Sequence, residues 1–138
     1  MPSGVSFSSQ SGEVFNKLSD AFMRPAVWAV EYLLENEVHV NVYSGQIDII
    51  VDALCTEQWI NNMTWSGMSA WKAAQEQDLV IDGIPQGIYR NYENFSFFKI
   101  FRAGHMVVST CRWFCKLAHC FSLISIKSLT TTDRLHLK

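Results

Sequence analysis

From Glu13 onward, apolar residues recur at helical spacing. Val14, Phe15, Leu18 and Phe22, then Val27, Val30, Leu33 and Leu34, form one face, while Asn16, Lys17, Asp20, Glu31 and Glu35 fill the other. Pro25 cannot donate a helical hydrogen bond, so the pattern predicts two helices or one kinked near Arg24, with the second part reaching about Glu37. The period then drops to two. Val38, Val40 and Val42 alternate with His39 and Asn41, and Tyr43 follows, which predicts a strand stopped at the turn-forming pair Ser44-Gly45. Residues Ile50 to Met63 return to a helical pattern through Ile50, Leu54, Trp59 and Ile60.

In residues 64–74, Trp65, Met68 and Trp71 stand three apart, a spacing that suits core packing, a surface flap or the lining of a cleft. Gln75 to Gln86 is polar and holds Gly83 and Pro85, so it reads as a connection. A second strand-like run spans Gly87 to Arg102. It is clearest from Phe95 to Phe101 and ends in Ala103-Gly104-His105-Met106. Helix, strand, acidic turn and helix in succession is the grain of an α/β fold with parallel strands.

Composition narrows the function classes. The chain has 138 residues, 49% hydrophobic and 17% charged, which fits one globular domain. A net charge of -2 offers no basic surface for nucleic acid or anionic lipid, and no apolar run reaches the roughly 18 residues of a membrane span. The first fifteen residues have neither a basic nor an apolar signal-peptide region. Two glycosylation sequons, at Asn62 and Asn94, point instead toward a secreted or lysosomal route. Of the four cysteines, Cys111, Cys115 and Cys120 lie near the end and only Cys55 lies earlier, which is no disulfide framework. The spacing of Cys111, Cys115, His119 and Cys120 matches no closed zinc site, and no metal is expected.

Two ionisable residues follow strand ends. Asp48 stands three residues past Gly45, and His105 stands in the small-residue turn after Phe101. In an open α/β sheet, groups beyond the carboxyl ends of strands form the active edge. Taken singly, an Asp between a strand and a helix is more often a helix cap, and a lone His after a strand more often structural, than either is catalytic.

The surrounding motifs carry more. Val42-Tyr43-Ser44-Gly45-Gln46-Ile47-Asp48 with Ile49-Ile50-Val51-Asp52, and Arg102-Ala103-Gly104-His105-Met106-Val107, resemble the serine carboxypeptidases of the α/β-hydrolase fold. Asp20 to Pro25 resembles that family's helix before the acid strand, and Trp59 to Trp71 its following flap. The likeness runs from about Gln10 to Val107. It implies the C-terminal part of an α/β-hydrolase fold, with two sheet strands and flanking helices. It implies Asp48 as the orienting acid, His105 as the base and Met106 as a neighbour of the substrate's terminal side chain. It also implies a secreted or lysosomal exopeptidase that takes peptide C-termini, needs no cofactor, works in mildly acidic conditions and has scope to form a homo-oligomer.

Chain order in this fold is nucleophile, acid, base, which places the serine before Val38. No Gly-x-Ser-x-Gly occurs in these residues; Gly4-Val5-Ser6-Phe7-Ser8 and Gly67-Met68-Ser69-Ala70-Trp71 both lack the second glycine. Removing a triad nucleophile costs about 10⁶-fold in rate, so the chain alone is expected to be inactive. The expected readings are then the C-terminal portion of a longer enzyme, a non-catalytic fragment that binds or modulates the full-length enzyme, or an incompletely read gene with no separate biology. Residues 1–107 form the partial carboxypeptidase domain in this reading. Residues 108–138 form a tail of different origin, helical or disordered. Val108-Ser109 is what a GTAAGT splice donor would encode, so the tail reads as translated intron or an alternative exon.

Overall fold

The computed structural model describes residues 11–22 and 24–107. The elements in chain order are α1 (Gly12–Lys17), α2 (Ser19–Phe22), α3 (Val27–Glu35), β1 (Val40–Gly45), α4 (Ala53–Asn61), α5 (Met68–Ala73), β2 (Gln77–Ile81), β3 (Ile84–Tyr92) and β4 (Phe95–Ile100). The predicted break at Pro25 falls between α2 and α3. The apolar residues of α1 stay exposed, so its amphipathic pattern is not spent on this core.

Four strands form one sheet in the order β1-β4-β3-β2. β1 and β4 run parallel, in register from Val40 opposite Phe95 to Gly45 opposite Ile100, while the β4-β3 and β3-β2 pairs are antiparallel. The sheet is therefore mixed, and two predicted strands become four. The stretch read as a connection, Gln75 to Gln86, contains β2 and the start of β3. Asp82 and Gly83 join them with φ of 51° and 75°, the left-handed pair that a two-residue hairpin requires. The run from Gly87 to Arg102 is likewise a hairpin, turned at Glu93-Asn94.

β4 is buried on both faces, and its side chains divide by the period of two. Phe95 and Phe97 join Leu34, Ile60, Met63, Trp65, Met68 and Trp71 in the larger core, beneath α3, α4 and α5. Phe98 and Ile100 join Leu79, Ala103 and Val107 on the opposite face, where Tyr89 stacks on Phe98 at 5.4 Å. Each fully buried aromatic here stabilises the fold by about 1.5–3 kcal/mol. Trp65, Met68 and Trp71 are thus core residues rather than a flap, and Arg90 lies 4.9 Å over the Trp71 ring.

Polar side chains fasten the helices to this framework. Glu31 and Glu35, one turn apart on α3, accept hydrogen bonds from the backbone amides of Thr64 and Ser66, each at 2.7 Å, and from both hydroxyls. Lys99 of β4 reaches Glu57 of α4 at 3.3 Å and Glu76 at 2.8 Å. The residues from Cys111 to Cys120, and the rest of the predicted tail, lie outside the described residues.

Candidate active site

Parallel neighbours send their following loops off the same edge of a sheet. Here β1 leads into residues 46–51 and β4 into residues 101–106, so two segments far apart in sequence leave side by side. Backbone hydrogen bonds then join them. The Gln46 amide donates to the Ile100 carbonyl at 2.8 Å, and the Ile47 amide to the Ala103 carbonyl at 3.0 Å. The Gln46 side chain accepts from the Arg102 amide at 3.1 Å, where Arg102 sits at a φ of 59°. Gly45 lets the loops approach this closely, since a Cβ there would lie 2.3 Å from the Ala103 carbonyl oxygen.

This junction brings Asp48 and His105 together across 57 positions of sequence. His105 Nδ1 lies 3.1 Å from Asp48 Oδ2. The other carboxylate oxygen, Oδ1, accepts from the backbone amides of Ile50 at 2.9 Å and Val51 at 3.0 Å. Asp48 therefore caps its own tight turn rather than the next helix. The helix predicted from Ile50 begins only at Ala53, and its N-cap is Asp52, whose Oδ1 accepts from the amides of Leu54 and Cys55. Two aspartates four residues apart divide the tasks that the sequence reading assigned to one.

Those contacts hold the Asp48 carboxyl below its ordinary value of 3.8. The Val51 amide bond is the largest cause; partial burial opposes it, and the Ile50 amide and His105 add to it. An ionised carboxylate can only accept, so in the neutral imidazole the proton sits on Nδ1 and Nε2 keeps its lone pair. The two partners differ in exposure: the Asp48 side chain is 6% exposed and that of His105 48%. Behind the acid, the buried Ser44 hydroxyl donates to Thr56 Oγ1 at 3.1 Å and ties β1 to α4.

A buried carboxylate bonded to an accessible imidazole is the geometry that the acid and base of nucleophilic hydrolases use. The model of the serine carboxypeptidase family matches residues 2–112. The chain belongs to the serine carboxypeptidase family. It is 37% identical over 112 residues to a retinoid-inducible serine carboxypeptidase of Rattus norvegicus, covering 78% of this chain and 24% of that protein. It is 36% identical over 103 residues to a serine carboxypeptidase-like protein of Oryza sativa, covering 75% and 24%. The fold matches the crystal structure of Kex1(delta)p, a prohormone-processing carboxypeptidase from Saccharomyces cerevisiae. That match has a TM-score of 0.72 at 19% identity and spans 93% of this chain and 28% of that one. The mixed sheet with its flanking helices is thus a C-terminal part of the carboxypeptidase α/β-hydrolase fold, and the chain spans about a quarter of the length of the curated relatives it matches.

Of the other predicted site residues, Met106 follows His105 and is exposed. Asn62 and Asn94 lie well away in sequence, Asn62 at the end of α4 and Asn94 in the β3-β4 turn. Sequence reasoning missed the Ile50 and Val51 amides and the Gln46 clasp. Gln46 stood inside the family-like motif, but nothing in its spacing points to Arg102. No helix among the described residues is long and apolar enough to cross a membrane.

Proposed function

We propose that these residues supply the acid and the base of a serine carboxypeptidase, and that the nucleophilic serine comes from sequence upstream of Val38 in a longer polypeptide. The hydrogen bond between His105 Nδ1 and Asp48 Oδ2 carries this reading. His105 Nε2 takes the proton of the serine hydroxyl as it attacks the C-terminal peptide bond, then returns it to the leaving amine. Asp48 fixes the tautomer and stabilises the imidazolium formed in between. Because its carboxyl is held below the ordinary range, Asp48 stays ionised in the mildly acidic conditions of a secreted or lysosomal enzyme.

Alone, the 138 residues hydrolyse nothing, since they contain no Gly-x-Ser-x-Gly element. The surroundings of the pair agree with a missing partner surface. Ile47, Ile49, Ile50, Leu54 and Met106 are exposed around it, and β1 is an edge of the sheet. The same surface favours a second reading, in which the free chain binds the nucleophile-bearing part of a carboxypeptidase without acting itself. Co-purification of the two would support that reading.

Hydrolysis of an N-blocked dipeptide is the test. The 138-residue chain is expected to be silent. A polypeptide joining it to the upstream part of the family domain is expected to release the C-terminal amino acid. Turnover by the short chain alone would refute the division of labour.

A further inference from the structure

The two glycosylation sequons stand in opposite structural situations. Asn94 begins Asn94-Phe95-Ser96 in the turn between β3 and β4. Its side-chain amide donates to the Leu34 carbonyl at 2.9 Å and to the Val38 carbonyl at 3.0 Å. A primary amide has two hydrogens, and both are used. Leu34 is one of the last residues of α3, and its carbonyl also accepts from the Glu37 backbone amide at 3.1 Å, so Asn94 adds a second donor at the helix end. The Asn94 backbone carbonyl accepts from the Val40 amide at 2.8 Å, at the first residue of β1. Asn94 thus clasps the end of α3, the chain leading into β1 and the start of β4. Phe95 beside it is fully buried.

Asn62, the first residue of Asn62-Met63-Thr64, is the C-cap of α4 and is exposed. Among the described residues, no hydrogen bond involves its side chain. The sequon threonine is held by Glu31 at 3.0 Å and Met63 is buried, so the loop is fixed while the acceptor amide stays in solvent.

We infer that Asn62 is an N-glycan acceptor and that Asn94 is a structural clasp that a glycan would break, an assignment that rests on the secretory or lysosomal routing proposed above. In the transfer, the Asn62 amide nitrogen attacks C1 of a polyprenyl-pyrophosphate-linked oligosaccharide. A C–N bond forms, the C1–oxygen bond breaks, the pyrophosphate leaves with the electron pair, and one amide proton passes to base. The product keeps a single N–H. At Asn62 nothing is lost by this. At Asn94 one of the two side-chain bonds that tie α3 to the chain leading into β1 would be lost, and the sugar would have to occupy the space between α3 and β1.

The test removes routing as a variable. The full chain is expressed behind an added cleavable secretion signal, and soluble protein is mapped by mass spectrometry after enzymatic deglycosylation in heavy-oxygen water. Labelled aspartate is expected at 62 and none at 94. Asn62→Gln is expected to abolish the single glycan shift on a gel without loss of soluble protein. Ser96→Ala destroys the second sequon but keeps the clasp, and is expected to change neither the shift nor the yield. Asn94→Gln is expected to keep the shift and lose resistance to protease. An occupied Asn94 in soluble, protease-resistant protein, or an unoccupied Asn62, would overturn the assignment. Absence of glycan from the longer polypeptide carrying its own upstream sequence, with glycan present at 62 behind the added signal, would count against the routing and leave the assignment standing.

Discussion

The two loops that meet at the candidate site are built differently. The acid loop, residues 46–51, is wired from every side: Asp48 is buried, two of its own turn's amides hold one oxygen, and His105 meets the other. The base loop, residues 101–106, is fastened through its backbone, at Arg102 and Ala103, while the His105 ring is half exposed and bonds Asp48. The difference fits the tasks proposed for them. An orienting acid gains from being fixed before the reaction, whereas a base must present its second nitrogen to a group arriving from outside.

Replacing each partner separately gives the largest effects. In a polypeptide joined to the nucleophile-bearing part, His105→Ala is expected to lower kcat by about 10⁶ and Asp48→Asn by about 10⁴, because the base takes part in bond making and the acid acts through it. Dipeptide hydrolysis measures both, and equal losses would erase the distinction between the loops. Next comes the junction itself. Gly45→Ala drives a methyl into the Ala103 and Gly104 carbonyls, backbone atoms that cannot swing aside, and is expected to cost about 3 kcal/mol in a denaturant titration. A neutral outcome would mean that the loops are not locked together.

Smaller effects sharpen the same contrast. Thr56→Val removes the acceptor of the buried Ser44 hydroxyl and is expected to cost about 1–2 kcal/mol of stability with the Asp48–His105 bond retained. Finally, Asp48 is expected to titrate below 3.8 by carboxyl NMR. The sign follows from the depressed value. Its ionised form stabilises the fold fully above the unfolded carboxylate value, and this contribution is lost as pH falls through the lower folded value. His105→Ala should move the Asp48 titration upward by removing a lesser cause, with the Val51 amide still holding it down. No movement would mean that the ring does not bond the acid in solution.

What the sequence shows and hides follows from physical range. The helical face of α3 and the period-two run of β1 are local patterns, and both are legible. So are Asp48 and His105 as strand-end residues, because their motifs are contiguous. β2 is harder to read because it lies at a sheet edge with Gln77, Asp78 and Val80 exposed, so it looks like a polar connection. The Asp82-Gly83 pair is the hairpin signal that outweighs that polarity. The clasp between Gln46 and Arg102 is invisible locally, since the parallel pairing of β1 with β4 creates it. The two sequons pose the same difficulty: Asn62 and Asn94 carry one motif, and only the carbonyls of Leu34 and Val38 tell them apart.

A serine-directed phosphonate probe tests the central claim most directly. The polypeptide that joins these residues to the upstream part is expected to be labelled at a serine before Val38, and His105→Ala is expected to abolish that labelling. The 138-residue chain alone should remain unlabelled. A labelled serine within it, dependent on His105, would contradict the account, because the nucleophile would then lie among the residues described as holding only the acid and the base.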